Sequence, residues 1–201
     1  MYLFVKTHAS GTLQKGLPPD APDQPWICFL AAQLTDADGN ELASINTGIR
    51  SDGRAISEAA TVAHGITTRR AACTGVKEKA ALSVLCGRES LCSQARYIIG
   101  HGLQKDIITG LILRNGWDAS VWTRAGVEFI DTTIAAAPFC KLTSEHESGS
   151  YRWPSLDDAC HALLGQEPRA GVHSAWDDLS RCASLFFWLR ERGAFDLEAV
   201  A

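Results

Sequence analysis

The chain has 201 residues, of which 46% are hydrophobic and 21% charged, a composition typical of one globular domain with a sizeable core. Its formal net charge of −4 excludes a strongly basic nucleic-acid coat and leaves room only for a local basic groove. The chain has no apolar run of signal-peptide or membrane-spanning length. We therefore expect one domain over residues 1–201, a cytoplasmic location and no membrane association.

The first elements in chain order predict an antiparallel meander. Residues 2–8 form an apolar strand, and residues 9–25 are rich in glycine and proline, which indicates a long loop. Residues 26–34 and 41–50 then flank Asp38-Gly39, a strong hairpin signal because both residues tolerate the positive φ of tight turns.

The rest of the chain alternates helix and strand. Apolar spacing and capping residues predict six helices and two further strands. The helices span residues 57–63, 77–91, 105–115, 132–137, 155–164 and 174–192, and the strands 97–100 and 127–130. This order predicts an α/β fold with a central mixed five-stranded sheet, three strands antiparallel and then two parallel, flanked by helices.

Seven cysteines are scattered through apolar segments without a CxxC pair, and their number is odd. Such cysteines are typical of reduced, buried thiols that behave as small hydrophobic residues. We therefore predict neither a disulfide framework nor a cysteine zinc site.

Two short motifs each place an acid five residues after a histidine: His101 with Asp106, and His173 with Asp178. On a sheet of the predicted kind, such acids could meet a first-strand acid around two divalent ions. Two ions stabilise both the attacking water and the leaving oxygen of a phosphodiester, while a histidine supplies the general base. The opening strand carries no acid at all.

Four segments occur in the order and spacing of a known nuclease family. They are Ala63-His64-Gly65-Ile66-Thr67, Ile99-Gly100-His101 through Asp106, Asp131-Thr132, and His173-Ser174-Ala175-Trp176-Asp177-Asp178. On these segments the chain resembles the DEDDh group of 3′–5′ exonucleases, which includes the proofreading subunit of bacterial replicative polymerase and small RNA-trimming exonucleases. The resemblance covers most of the chain and implies a ribonuclease H-like fold.

The resemblance also implies a role for each matching residue. Asp106 corresponds to the metal-binding acid of the second motif, Asp178 to that of the third motif, and His173 to the general base. Asp177 lies one residue too early and is the less suitable ligand. The first motif of the family, Asp-x-Glu, falls on Lys6-Thr7-His8, so both of its acids are missing. The second motif departs as well, because Gly102 replaces an asparagine and Lys105 a phenylalanine.

The missing acids change the charge of the site. Lys6, His8, Asp106 and Asp178 sum to about −1 with a neutral imidazole, too little to hold two dications. We therefore predict that two-metal hydrolysis is lost or impaired. No cofactor is expected, and Mg²⁺ or Mn²⁺ would be required only if activity is retained.

Several residues have two interpretations. The Lys6 ammonium either inserts among Asp106 and Asp178 in place of a cation or points into solvent. His8 either rebuilds a single site for a softer metal ion or is a polar residue of a vestigial cleft. His173 is either a vestigial base or a capping residue.

Three functions follow from these alternatives. The first is a degenerate exonuclease fold that binds the 3′ end of single-stranded DNA or RNA, or a protein partner. Arg69, Arg70 and Lys105 are its candidate nucleic-acid contacts, although the arginine pair also suits a solvated helix start. The second is an active exonuclease with a rearranged metal site. The third is a regulatory adaptor whose cleft is closed by Lys6 ion pairs and by the loop 9–25.

Overall fold

The structure, a computed structural model, describes residues 1–143 and 151–197. Strands and helices alternate after an opening three-stranded meander, as the sequence predicts. The elements in chain order are β1 (Tyr2–Ala9), β2 (Ile27–Thr35), β3 (Glu41–Gly48), α1 (Glu58–His64), α2 (Thr68–Thr74), α3 (Glu78–Cys86), α4 (Leu91–Gln94), β4 (Tyr97–Gly100), α5 (Lys105–Arg114), α6 (Ser120–Thr123), β5 (Glu128–Asp131), α7 (Thr132–Cys140), α8 (Leu156–Leu164) and α9 (Ala175–Glu191).

The five strands form one mixed sheet in the order β3-β2-β1-β4-β5. β1, β2 and β3 pair antiparallel, whereas β4 runs parallel to both β1 and β5. The hairpin between β2 and β3 turns at Gly39, whose φ of 88° is the left-handed conformation that glycine adopts without strain. The predicted fold class is confirmed.

β1 lies at the centre of the sheet and extends beyond one of its neighbours. Its last parallel partner is Phe4, opposite Ile99 of β4, while its pairing with β2 continues to Ala9. The positions that follow Phe4 therefore line an opening beside the end of β4. Ligands of open α/β sheets commonly bind in such a crevice, where the direction of the chain connections changes.

The two faces of β1 pack against different helices. Leu3 and Val5 join the larger core, which includes residues of α3 and α5, whereas Tyr2 and Phe4 pack with Leu179 and Phe186 of α9. Because side chains alternate along a strand, Lys6 and His8 share the α9 face with Tyr2 and Phe4. The sheet thus directs both unusual first-strand residues towards α9.

The loop between β1 and β2 is anchored on α5. Arg114 donates hydrogen bonds to the carbonyl oxygens of Pro19 at 3.2 Å and Pro25 at 3.4 Å. A Cβ atom at Gly110 would lie 2.1 Å from the Pro19 oxygen, so only glycine permits this close approach. The buried Gln24 amide also donates to the backbone of residues 14 and 17. These contacts anchor the loop on α5, while Gly11 and Thr12 at its start line the opening beside the end of β1. Closure of that opening by the loop stays a prediction.

The structure differs from the predicted elements at short helices. The sequence patterns missed α2, α4 and α6, and the predicted helix 77–91 ends early, because α3 stops at Cys86. Gly87 follows α3 where a Cβ atom would lie 2.4 Å from the Ser83 oxygen, and the Ser90 side chain then caps α4. Most of the predicted loop 144–153 lies outside the described residues. Among the residues described, no helix combines the length and apolar character needed to cross a membrane.

Candidate functional site

Asp178 is held between two cations at the start of α9. Lys6 Nζ lies 2.9 Å from Asp178 Oδ2, and an Arg169 guanidinium nitrogen lies 2.7 Å from Asp178 Oδ1. The Asp178 side chain is 11% exposed, so its carboxylate is largely removed from water. The predicted ion pair of Lys6 is therefore found with Asp178, and Arg169 is a second partner of the same carboxylate.

The ion-pair cluster continues from Arg169 to Asp157 of α8. Arg169 Nε lies 3.0 Å from Asp157 Oδ1, and an Arg181 nitrogen lies 3.4 Å from the same oxygen. His173 Nε2 lies 3.6 Å from Asp157 Oδ2. Apart from the histidine, three cations face two carboxylates, which leaves the cluster with an excess of positive charge. An intact two-metal site would instead require an excess of negative charge.

The charges of the cluster shift the pKa values of its members. Burial alone would raise the pKa of Asp178, but Lys6 and Arg169 outweigh it and hold that pKa below its ordinary value. Burial would likewise lower the pKa of Arg169, yet Asp178 and Asp157 raise it. Both groups are thus stabilised in their charged forms at neutral pH.

The depressed pKa of Asp178 predicts an acid-sensitive contribution to stability. A lowered folded-state pKa contributes stability above the ordinary aspartate value near 3.9, and this contribution disappears as pH falls through the folded pKa. We expect the difference in unfolding free energy between the wild type and Asp178→Asn to be largest near neutral pH and to shrink below about pH 4. Urea unfolding across this range measures it. Asp177→Asn, at the exposed neighbour, controls for loss of a first-turn carboxylate, and a difference that grows on acidification would contradict the prediction.

His8 and His64 form a pair of neutral rings beside Lys6. Their ring centroids lie 5.0 Å apart. Burial is the main cause that lowers the pKa of His8 to about 4, and the charges of Lys6 and His64 act in the same direction. His64 accepts a hydrogen bond from Ile66 N at Nδ1 and donates from Nε2 to the Ala9 oxygen, while burial also lowers its pKa. His64 therefore has a structural role, whereas the buried Nε2 atom of His8 has no hydrogen-bond partner among the described residues.

A cleft of about 330 Å³ opens at the end of β1. Among the described residues that line it, Lys6 is the only one with a formal charge, and none has a carboxylate. Its other polar lining residues include His8, His64, His101, Gln104 and Ser57. The cleft is consequently suited to an anion and lacks ligands for a hard dication.

Hydrogen bonds hold the start of the segment from His101 to Asp106 in place. His101 Nε2 lies 3.1 Å from the Pro154 oxygen and Nδ1 lies 3.0 Å from Thr132 Oγ1, and burial lowers the pKa of the ring. Gly102 donates from its backbone to Asp131 and has a φ of 64°. Glycine adopts this left-handed conformation without strain.

The other predicted site residues do not join the cluster. Asp106 is exposed in the first turn of α5, and no ion pair links it to a described cation, so its predicted pairing with Lys6 is not observed. Lys105 Nζ lies 4.2 Å from the Phe129 ring and does not line the cleft. Arg69 and Arg70 lie exposed in the first turn of α2.

The described residues do not fit a divalent metal. Both oxygens of Asp178 are occupied by cations, and no group of three or more histidine, cysteine or acidic residues in the described ranges could hold an ion. His8 has a second interpretation, as a ligand of a softer metal ion. Among the described residues, it belongs to no group that could hold such an ion. The donor set therefore argues against Mg²⁺ or Mn²⁺ at this position.

Sequence patterns did not predict Arg169, Arg181 or the role of Asp157. Arg169 belongs to an irregular segment between α8 and α9, where no periodicity or motif indicates what a side chain contacts. From the sequence alone, Asp157 and Asp158 in the first turn of α8 are explained by a favourable interaction with the helix dipole. A surplus of arginines near the third motif is the one signal that could have indicated a cationic cluster.

Comparisons with known proteins support the fold. No protein-family model and no curated protein matches the chain. Among solved structures, E. coli exonuclease I in complex with a 5cy-dT13 oligonucleotide is 21% identical, with a TM-score of 0.72 over 97% of this chain and 42% of that chain. The zinc-bound form of an E. coli exonuclease I complex with single-stranded DNA is 20% identical, with a TM-score of 0.68 over 97% and 42%. A product-bound exonuclease I structure is 19% identical, with a TM-score of 0.72 over 97% and 45%.

At these identities the comparisons establish a shared fold, which is ribonuclease H-like as predicted. The chain spans less than half the length of the exonuclease I chains that it matches.

Proposed function

We propose that this protein binds the 3′ end of single-stranded nucleic acid in the cleft beside Lys6 and does so without two-metal hydrolysis. The single observation that carries this proposal is the pairing of both Asp178 oxygens, by Lys6 at 2.9 Å and Arg169 at 2.7 Å. A carboxylate held in this way is not free to bind a metal. The proposed role is that of a degenerate DEDDh exonuclease, with Lys6 and His8 in place of the first-motif acids.

The charge of the cleft supports binding rather than hydrolysis. A phosphodiester approaching an intact acidic site is repelled unless metal ions neutralise the carboxylates. Here the described lining of the cleft carries Lys6 and no carboxylate, and the Lys6 side chain is 31% exposed, so its ammonium can attract a phosphate in addition to pairing with Asp178. Exonuclease I, which shares the fold, has been solved with oligonucleotides bound, and this supports a nucleic-acid ligand for the same fold.

Metal-independent binding can be measured with labelled single-stranded DNA and RNA in EDTA. We expect binding that weakens with salt and is unchanged by replacing EDTA with Mg²⁺, because the cation at the cleft belongs to the protein. For single strands the slope of log K against log salt is about −0.7 per phosphate contact. Lys6→Gln should therefore reduce the magnitude of this slope by about 0.7.

Lys79→Gln provides the matched control, because Lys79 is exposed on α3, which contributes to the core on the opposite face of the sheet. Circular dichroism of both variants establishes that they are folded. Absence of binding to either nucleic acid at low salt, or binding that requires Mg²⁺, would contradict the proposal.

We expect the protein to act in the cytoplasm. All seven cysteines are free thiols, and several of them are buried among apolar side chains. Burial raises the pKa of Cys28 and of Cys182 to about 12, so neither forms a reactive thiolate at neutral pH. Free, unreactive thiols suit a reducing compartment.

A further inference from the structure

A second cavity adjoins the cleft. Its volume is about 200 Å³, and it lies between the residues that connect α1 with α2 and those that lead into α9. It shares His8 and His64 with the cleft, so the two histidine rings form part of the boundary of both spaces. Gly65, which would place a Cβ atom 3.0 Å from Val172 Cγ1, brings the two walls into contact.

The cavity has the chemistry of an anion site. Among the described residues that line it, Arg70 has the only formal positive charge, His8, His64 and His173 contribute imidazoles, and none has a carboxylate. The Arg70 guanidinium has no ion pair and no side-chain hydrogen bond within the described ranges, unlike Arg169 and Arg181 in the neighbouring cluster. The buried Nε2 atom of His8 also lacks a partner there. Arg70 therefore remains available to an anion at this cavity, and the His8 ring that lines the same cavity has a nitrogen without a partner.

The size and apolar lining of the cavity restrict the ligand. Small-molecule sites usually span about 300–1,000 Å³, so a cavity of this volume suits a terminal group rather than a whole nucleotide. Phe29, Ile66 and Val172 line the remaining wall. A terminal phosphate needs a single opening, whereas an internal phosphodiester requires room for the strand on both sides.

We propose that this cavity binds a phosphate monoester at the 3′ terminus of the strand held in the neighbouring cleft, through Arg70 and His8 with His173 beside them. That the phosphate belongs to a nucleic-acid strand rests on the proposed function, whereas the anion site itself is inferred from the residues that line the cavity. An arginine forms strong charge-assisted hydrogen bonds to phosphate, so the phosphate should select among strand ends.

One labelled single strand prepared with a 3′-hydroxyl, a 3′-phosphate or a 5′-phosphate tests this inference, with binding measured in EDTA. We expect the 3′-phosphate strand to bind at least about tenfold more tightly than the 3′-hydroxyl strand. Arg70→Gln should abolish that preference. Arg69→Gln should retain it, because Arg69 is the exposed neighbour that does not line the cavity.

Calorimetric titration with inorganic phosphate separates the two proposals. Phosphate binding that depends on Arg70 without any oligonucleotide binding would support the anion site and refute the proposed function. Oligonucleotide binding with equal affinity for all three ends would support the proposed function and overturn this inference. A preference lost equally in Arg69→Gln and Arg70→Gln would also overturn it, because the effect would then be a general one of surface charge.

Discussion

The triple variant Lys6→Asp, His8→Glu, Arg169→Ala should bind Mn²⁺, whereas the double variant without the Arg169 change should bind it weakly or not at all. Placing acids at positions 6 and 8 leaves one Asp178 oxygen 2.7 Å from Arg169, and this guanidinium competes with a metal for the carboxylate. Removing it frees Asp178 to act with the two new acids. Hard oxygen ligands of this number are what Mn²⁺ and Mg²⁺ require.

Thermal unfolding with and without Mn²⁺ measures this gain. A ligand at a hundredfold excess over its Kd stabilises the folded state by about 2.7 kcal/mol, which is readily detected in Tm. The double variant combined with Arg152→Ala is the matched control, since Arg152 pairs at 3.0 Å with a different α8 acid, Asp158. Equal stabilisation of the double and triple variants by Mn²⁺ would show that Arg169 does not block the metal.

The second large effect concerns stability. Lys6→Ala combined with Arg169→Ala should lower the free energy of unfolding by about 3 kcal/mol at pH 7, because it leaves the largely buried Asp178 carboxylate without either partner. Each single change should cost considerably less, since one cation remains. The double variant should therefore be less stable than the sum of the single effects indicates.

Urea unfolding of the four proteins forms the double-mutant cycle that measures this coupling. Arg50→Ala removes an exposed ion pair with Asp52 and should cost about 0–1 kcal/mol, which calibrates the value of a surface pair. Additive single effects, each as small as that of Arg50→Ala, would mean that Asp178 is hydrated and does not depend on the two cations.

Much of the fold could be predicted because its patterns are local. Alternation along β1 places Tyr2, Phe4, Lys6 and His8 on one face, and Asp38-Gly39 fixes the hairpin that follows. α8 and α9 begin at serine N-caps, and the predicted starts agree with the observed ones to within a residue. Hairpin turns and helix caps are therefore readable from a single sequence.

The short helices could not be predicted because tertiary contacts stabilise them. α2 has seven residues, and Thr68 at its start accepts a hydrogen bond from the distant backbone N–H of Ile56. Helices of this length are marginal by themselves and form when packing supports them. Their sequences accordingly carry weak periodicity.

The candidate site was predictable only where a motif marked it. The missing first-strand acids indicated a cation near Asp178, and Lys6 is found there. Arg169 reaches the same carboxylate from an irregular segment, and Asp106 remains outside the cluster although it belongs to a motif. Spacing along the chain predicts neither the contact of Arg169 nor the position of Asp106, because both depend on how distant segments pack against the sheet.

The central claim is that the site binds a strand without hydrolysing it. The most direct test is to incubate a 5′-labelled single strand with equimolar protein in Mg²⁺, in Mn²⁺ and in EDTA. We predict that the strand stays at full length in all three conditions and that the bound fraction is the same in each. Shortening from the 3′ end that requires a divalent metal and disappears in Asp106→Ala and Asp178→Asn would contradict this conclusion, because the acids would then still serve a working metal site.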